Sequence, residues 1–221
     1  MTGDPLLWLL QANDTAYPSG SYAHSFGLEE LAEAGVVSNA EELEDFLKKQ
    51  ILPALLTFEI PFFARAHAAA VAEDPAQLLA LDAELDAWRI PAELRDASRR
   101  IGSQRLELLA QLHPSPLILR VREASSRCHH LVVTALELSG VPVGQVARAV
   151  AFQSVAGLTA ASMKLMRIGQ TSCQTIARRS LALLGEKIDA SLSQPVDGWF
   201  NPLLEIASLR HARAHQRLFI S

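Results

Sequence analysis

The sequence predicts an all-α fold, a single-domain helical bundle, on three observations. The chain has 221 residues, of which 49% are hydrophobic, and this is enough to enclose a core. Only 6% of the residues are aromatic, and alanine and leucine are abundant, which favours helices over strands. Apolar residues also recur at helical spacing along much of the chain. We therefore expect one domain, residues 1–221, of roughly eight to ten helices.

The N-terminal elements follow from local signals. Residues 6–11 are apolar at consecutive positions around Trp8, which predicts a helix buried on most sides. A turn-rich loop follows at 18–21, and a second helix is expected from about residue 23 to residue 34, because Gly35 is a plausible helix terminator. Hydroxyls, a histidine and an acidic run crowd residues 13–30, so this segment looks like a recognition surface.

The clearest amphipathic helix begins after residue 38. Ser38 followed by Glu41 predicts a capping box, and apolar residues then recur at helical spacing from Leu43 to Phe58. Prolines are expected to shape this region. Pro53 should kink the helix, and three more should divide the next part of the chain into shorter helices, namely Pro61, Pro75 and Pro91.

The second half of the chain predicts further helices, separated by the break HPSP at 113–116. Their expected ranges are 91–112, 125–138, 142–168, 170–192 and a short helix from about residue 202. The helix at 142–168 contains small residues that allow another helix to approach closely, which indicates a buried central helix. These residues are Ala147, Ala151, Ser154, Gly157 and Ala161.

The formal net charge of −4 hides an asymmetry between the two ends of the chain. Residues 1–60 hold ten Asp and Glu against two lysines, a local charge of −8, and the rest of the chain carries +4. The last 20 residues carry Arg210, Arg213 and Arg217 against Glu205 alone. The two ends could therefore present fields of opposite sign to different partners. The sequence has no dense basic stripe with interleaved aromatic residues, so a nucleic-acid partner is not expected.

Composition also bears on location. The two cysteines, Cys128 and Cys173, lie far apart, and the opening MTGDPLLWLL has neither a basic leader nor a small-residue cleavage pattern. We expect a reducing, cytoplasmic setting. The most apolar region is interrupted by Arg148, Gln153 and Lys164, so no membrane span of about 18 apolar residues is expected.

Catalytic signatures are absent from the sequence. It contains no GxSxG, no GxGxxG after a strand, no HExxH and no Walker A motif. His24 stands beside Ser25, but no orienting acid or oxyanion-hole pattern accompanies the pair. We expect a protein that is not an enzyme and that carries no cofactor.

Two features of the C-terminal region leave alternatives open. His211 and His215 are spaced i,i+4, so they could offer two ligands to nickel or zinc from one helix face, or could lie at a solvated helix end. The terminal RLFIS is apolar where a free tail is ordinarily polar. It could dock on the protein's own core, or it could be an arginine and aromatic anchor held out for a partner.

Four segments together resemble the urease accessory protein F family (UreF). They are LLWLLQANDTAYPSGSYAHSFGLEE near the N-terminus, AELRDASRRIG at 92–102, KLMRIGQTSCQ at 164–174, and the terminal RLFIS. The sequence departs from the family pattern at Ile220, where a basic residue is common, and at Ser172 and Cys173, where Asp and Gly are common.

The resemblance implies a dimeric all-α protein without a reaction of its own. Such a protein bridges the accessory protein UreD (also called UreH) and the GTPase UreG on apo-urease, and regulates GTP hydrolysis and nickel insertion. Lys164 falls where a family cation has been considered to act on the GTPase, and a coupling role suits a lysine better than direct catalysis. Residues 210–221 would be a partner-binding tail.

The resemblance also implies a set of partner-binding residues. In the N-terminal segment they are Tyr22, His24, Ser25, Gly27, Glu29 and, more weakly, Glu30. In the third segment and the tail they are Lys164, Gln170, Gln174, Arg217, Leu218, Phe219 and Ser221. The residues alone leave two other interpretations open. One is a helical protein that binds nickel or zinc, suggested by the seven histidines, by His211 with His215 and by Cys128 beside His129, and the other is a helical interaction module unrelated to urease.

Overall fold

The computed structural model describes residues 4–20, 24–125, 127–197, 201–214 and 217–220. In these ranges the regular structure is helical and no strand occurs. The helices are α1 Pro5–Ala12, α2 Leu28–Glu33, α3 Ala40–Phe46, α4 Leu52–Ala54, α5 Ile60–Val71, α6 Pro75–Trp88, α7 Ala92–Leu112, α8 Pro116–Ala124, α9 His130–Glu137, α10 Val143–Leu165, α11 Gln170–Gly185, α12 Ile188–Ser191 and α13 Pro202–His211. The all-α prediction is confirmed. Because α3 to α5 form one continuous stretch, these ranges hold eleven helices, slightly more than predicted.

Helix α1 lies on the surface, so the prediction that it is buried on most sides is wrong. Pro5 occupies its first turn, and the Asp4 carboxylate accepts the Leu6 N–H at 2.8 Å. Only Trp8, Leu9 and Ala12 are buried. The opposite side exposes three leucines, Leu6 at 53%, Leu7 at 64% and Leu10 at 59%. Apolar residues all round the helix therefore do not mean burial all round it.

Helix α2 begins later than predicted. Phe26 and Gly27 have φ of 51° and 87°, a left-handed conformation that interrupts a right-handed helix, so the helix starts only at Leu28. The predicted termination is confirmed, since Gly35 follows the last turn with φ of 68°.

The predicted capping box is displaced by one residue. Asn39, not Ser38, caps α3, and its side chain accepts the N–H groups of Glu41 and Glu42. The Glu42 carboxylate reaches back to the N–H and hydroxyl of Ser38, each at 2.8 Å. Sequence spacing identified the helix start correctly, but two adjacent polar residues could both serve as the cap.

Pro53 and Pro61 do not break the helical stretch Ala40–Val71, so the predicted division at Pro61 is wrong. A π-helical turn precedes each proline, at Leu47–Ile51 and at Leu55–Glu59. Proline cannot donate to the preceding turn and crowds the carbonyl four residues earlier. The carbonyl oxygens left free before Pro61 gain other donors: the Ser191 hydroxyl bonds to Leu56, and the Asp197 N–H bonds to Thr57 at 3.1 Å.

The same stretch is long and apolar enough to cross a membrane by length and composition alone, which the sequence did not lead us to expect. Its most apolar 18-residue window is 61% buried inside the protein. Large side chains such as Leu47, Leu55 and Phe62 lie in the core. Its apolar character is that of a core helix.

Most predicted helices of the second half are confirmed, with shifted ends, but the single helix expected at 170–192 is divided into α11 and α12. Pro75 and Pro91 mark new helices as expected, and α10 and α13 begin where predicted. Helix α9 begins only at His130, so Cys128 and His129 precede it. A Cβ on Gly102 would lie 2.0 Å from the Cys128 carbonyl oxygen. Glycine at that position of α7 therefore allows the backbone before α9 to pack directly against the helix.

Two apolar clusters form the core, and α10 contributes to both of them. Val146 and Val150 belong to the first cluster, which α5, α7 and α9 also line. Ala147 and Val155 belong to the second, which includes α2, α3, α11, α13 and Phe219. One side of α10 nevertheless stays open, because Phe152 is half exposed. The predicted central helix is therefore buried on one side only.

Candidate functional site

Glu29 is the centre of a buried polar site beside the second core cluster. It lies in the first turn of α2 and is only 2% exposed, although acidic runs normally face solvent. Its carboxylate accepts the N–H of Leu218 at 2.6 Å, the N–H of Phe219 at 3.0 Å and the Nε2–H of His211 at 2.9 Å. Burial raises the pKa of Glu29, but these hydrogen bonds outweigh it and lower the pKa overall.

His211 ends α13 and joins two carboxylates. The ring is 1% exposed, with Nε2 facing Glu29 and Nδ1 facing Glu93 at 2.8 Å. Because a carboxylate only accepts, both ring nitrogens must carry a proton, so the ring is an imidazolium. Burial lowers the pKa of His211, but the hydrogen bonds that the ring donates to Glu93 and Glu29 raise it above its ordinary value. We call this group the Glu29–His211–Glu93 cluster.

Glu93 brings α7 into the cluster. It lies in the first turn of that helix, where the helix dipole favours a negative charge. Its carboxylate also accepts the Ser208 hydroxyl at 3.4 Å and pairs with Arg217 Nη1 at 3.5 Å. The site thus joins α2, α7, α13 and the C-terminal segment.

The C-terminal segment 217–220 docks on the protein's own core through some residues and points others outward. Arg217 Nη2 donates to the Ala212 carbonyl at 2.6 Å, which holds the chain close to the end of α13. Phe219 is buried in the second core cluster, and Lys164 Nζ lies 5.3 Å from its ring centroid. Leu218 is 73% exposed and Ile220 49% exposed. The tail therefore docks on the protein's own core, as the first alternative expected, and the side chains that it leaves exposed are Leu218 and Ile220 rather than the aromatic Phe219.

The loop before α2, residues 24–27, packs beside the site. His24 and Ser25 are buried, and burial, followed by the charge of Arg100, lowers the pKa of His24 to about 4, which leaves the ring neutral at pH 7. Gly27 packs against α13: a Cβ there would lie 3.5 Å from side-chain atoms of Leu204 and Ala207. These N-terminal residues position α2 against α13 and hence Glu29 against His211.

The other predicted site residues lie elsewhere or are not described. Glu30 is half-buried on α2, and Gln170 and Gln174 are exposed on α11. Tyr22, Ser221 and His215 fall outside the described residues. The structure therefore brings together Glu29, Lys164, Arg217, Leu218 and Phe219 among the predicted residues.

The geometry changes the interpretation of His211. Helix α13 ends at this residue, which is 1% exposed, so the alternative of a solvated helix end is wrong. Both ring nitrogens of His211 already face carboxylates. The described ranges contain no group of three or more His, Cys, Asp or Glu side chains that could hold a metal ion.

Sequence reasoning missed Glu93 and the structural role of His211. Glu93 belongs to the quoted AELR segment, so the signal was present, but nothing in the spacing connected it to residues 29 or 211. His129 and His130 also have structural partners, since each places Nδ1 2.9 Å from the Ser98 hydroxyl. Burial lowers the pKa of His129 to about 4, so this pair packs as neutral side chains.

The fold and site define an all-α protein whose C-terminal segment is held by a buried ionic cluster shared with α2, α7 and α13. The UreF family model matches residues 37–181. A urease accessory protein UreF of Bacillus sp. (strain TB-90) is 31% identical over 98% of this chain and 99% of the relative. That of Arthrobacter sp. (strain FB24) is 30% identical over 99% of this chain and 98% of the relative. That of Escherichia coli O157:H7 is 29% identical over 100% of this chain and 99% of the relative. The chain belongs to the UreF family of urease accessory proteins.

The four segments that carried the resemblance largely meet at this site. Glu29 comes from the first segment, Glu93 from the second, Lys164 from the third and Phe219 from the fourth. Residues far apart in the chain are thus joined by direct contacts. The site is the structural link between the family's separate sequence signals.

Proposed function

We propose that the protein is a non-enzymatic cytoplasmic scaffold in urease maturation. It bridges UreD/UreH and the GTPase UreG on apo-urease, and it regulates GTP hydrolysis and nickel insertion. Family membership supports the pathway. The observation that carries the scaffold role is the Glu29–His211–Glu93 cluster, which fixes the C-terminal segment while leaving Leu218 and Ile220 outside.

The C-terminal surface is the proposed contact for UreD/UreH. It combines exposed apolar side chains, which gain free energy on burial, with exposed arginines, a residue enriched among those that dominate binding energy at interfaces. The apolar members are Ile206, Leu209, Leu218 and Ile220, and the arginines are Arg210, Arg213 and Arg217. Because the backbone of residues 218 and 219 is held by Glu29, this tail contact is largely pre-formed and loses little conformational entropy on binding.

Lys164 and α11 are the proposed link to UreG. Lys164 lies over the Phe219 ring, so a partner that engages this lysine also acts on the docked tail. A lysine presents a compact charge rather than the planar fork of an arginine, which favours coupling over direct action on GTP. The exposed Gln170 and Gln174 extend the surface along α11.

The open side of α10 is the proposed homodimer surface. Apolar residues recur there at helical spacing: Phe152, Ala156, Ala160 and Met163. The small residues let a second copy of α10 approach closely while Phe152 supplies buried area. Light scattering on Phe152→Ser should show a shift from dimer toward monomer.

Binding to UreD tests the tail assignment. The variant Leu218→Ser/Ile220→Ser changes only exposed side chains, so its thermal stability should match the wild type. We expect its affinity for UreD to fall at least tenfold by calorimetry. The matched control Leu119→Ser/Leu183→Ser removes the same kind of exposed side chain from α8 and α11 and should bind UreD normally.

Two results would contradict the proposal at different levels. Unchanged UreD binding by the tail variant removes the tail as the contact but leaves the scaffold role. Failure of the wild-type protein to co-purify with UreD and UreG, alone or together, removes the scaffold role itself.

A further inference from the structure

A second apolar surface lies on α1, away from the tail. Leu6, Leu7 and Leu10 lie on one side of this two-turn helix and are each more than half exposed. Residues spaced three and four apart share a helix face, so Leu7 and Leu10 with Leu6 form a continuous strip. Contiguous exposed apolar surface of this kind commonly marks an interaction site.

Trp8 fixes α1 firmly to the protein beneath this strip. Its Nε1–H donates to the Glu137 carbonyl at 3.1 Å, and its ring lies edge-on to His113 with centroids 4.5 Å apart. Trp8 belongs to the first core cluster, whereas the tail residue Phe219 belongs to the second. The leucine strip is therefore presented by an anchored helix and is independent of the tail.

A groove runs beside the strip. Its walls are formed by Leu7, Trp8 and Gln11 of α1 and by Val71, His113 and Gly140. Val71 at the end of α5 is more than half exposed and adds an apolar side chain to the groove beyond those of α1. The groove thus places apolar side chains of α1 and α5 beside polar ones.

The charged residues of the groove are acidic. Asp4 and Glu73 line it, and its lining includes no lysine or arginine among the described residues. Asp4 has a structural reason for its position, because it caps α1. Glu73 has φ of 53°, a left-handed conformation in which a glycine would be less strained. A carboxylate is therefore held at the groove in a backbone conformation unfavourable to it.

We propose that the α1 groove binds an amphipathic helix of a partner protein, with leucine-like residues on one face and lysine or arginine beside them. The apolar face would cover Leu7, Leu10 and Val71, and the cations would meet Asp4 and Glu73. This is the helix-in-groove mode of recognition, in which anchors at helical spacing fill an apolar surface. A second copy related by two-fold symmetry fits less well, because acidic rims would then face each other.

The probe is a fluorescein-labelled 15-residue helix of leucine and lysine, with leucine at positions i, i+3, i+4 and i+7, titrated with full-length protein and followed by anisotropy. We expect micromolar binding to the wild type. Leu7→Ser/Leu10→Ser should weaken it at least tenfold, and Glu73→Gln three- to tenfold at low salt. A peptide with glutamate in place of lysine should bind at least tenfold more weakly.

Two control variants separate the groove from general surface effects. Leu119→Ser/Leu183→Ser removes exposed leucines elsewhere, and Glu186→Gln removes an exposed carboxylate on another face; both should bind the probe normally. Circular dichroism should give all variants the same unfolding temperature.

Three results would overturn the proposal. The first is absence of probe binding to the wild type. The second is equal loss of binding in the groove and control variants. The third is loss of self-association, measured by light scattering, in Leu7→Ser/Leu10→Ser, since a second copy and not a partner helix would then cover the groove.

Discussion

Two buried ionic clusters hold this protein together in different ways. In one, the Glu137 carboxylate of α9 binds Arg105 of α7, with Nε at 2.8 Å, and also accepts the Tyr17 hydroxyl. In the other, Glu29 and Glu93 bind His211 and the tail backbone. Each is almost fully buried, so each carboxylate depends on its partners for the interactions that water would otherwise supply.

The two clusters differ in their cation and in what they connect. Arg105 is always charged and joins regular helices of the first core cluster. His211 loses its charge when pH rises through its raised pKa, and it joins a chain end to the second core cluster. We infer that the Arg105 cluster fixes the fold, whereas the His211 cluster sets how firmly the tail is held.

The largest expected effect comes from the Arg105 cluster. Glu137→Gln leaves Arg105 buried without a countercharge, which should lower the free energy of unfolding by about 3–5 kcal/mol. Urea unfolding followed by circular dichroism measures it. The double variant Glu137→Leu/Arg105→Met removes both charges and should recover most of the loss. A cost below about 1 kcal/mol for Glu137→Gln would mean that the pair does not anchor the fold.

A smaller and more local effect is expected at Glu29. Glu29→Gln keeps an acceptor oxygen but removes the charge that faces His211 and the amides of Leu218 and Phe219, which should cost about 1–3 kcal/mol. Hydrogen exchange of these two amides should accelerate more than exchange in α9. Glu30→Gln, in the neighbouring half-buried position, is the control and should leave both amides protected. Uniform acceleration across the whole chain would contradict a local role.

The stability of the tail site should depend on pH in two opposite ways, through His211 and through Glu29. The pKa of His211 is raised, so its stabilisation is complete below about pH 6.5 and is lost as pH rises through the folded-state pKa. The pKa of Glu29 is lowered, so its stabilisation is present above about pH 4.5 and is lost as pH falls through its folded-state pKa. The tail should therefore be held best between these limits.

His211→Gln isolates the alkaline side of this dependence. We expect the wild type to lose stability relative to His211→Gln as pH rises from 6 to 9, measured by urea unfolding at each pH. Parallel curves for the two proteins would show that the ring does not titrate in this range. The Arg105 cluster should contribute no such dependence, because arginine stays charged throughout.

The smallest expected effect is at Lys164. Lys164→Met removes the cation over the Phe219 ring but keeps a long apolar side chain, and should weaken tail docking by about 0.5 kcal/mol, because the lysine is exposed. Faster exchange of the Phe219 amide measures it, and Lys164→Arg should restore protection. Identical exchange in all three proteins would remove Lys164 from the coupling that we propose.

Local signals predicted where most helices begin and end. Gly35 ends α2, Pro75 begins α6, and Pro202 begins α13, because backbone restrictions of glycine and proline act within a few residues. The failures have equally local causes. Pro61 was expected to end a helix, but the Asp197 N–H approaches the carbonyl that this proline leaves free.

The sequence by itself determined the helical class, the positions of most helices and the four family segments, since these depend on composition and on neighbours in the chain. Only the tertiary structure decided that Glu29 is buried, that His211 is an imidazolium, and that α1 exposes its leucines. Glu29 forms hydrogen bonds with His211, Leu218 and Phe219, which are at least 182 positions away in the sequence. These bonds exist because α2 packs against α13. No periodicity encodes that approach, because packing between distant helices is set by the whole core.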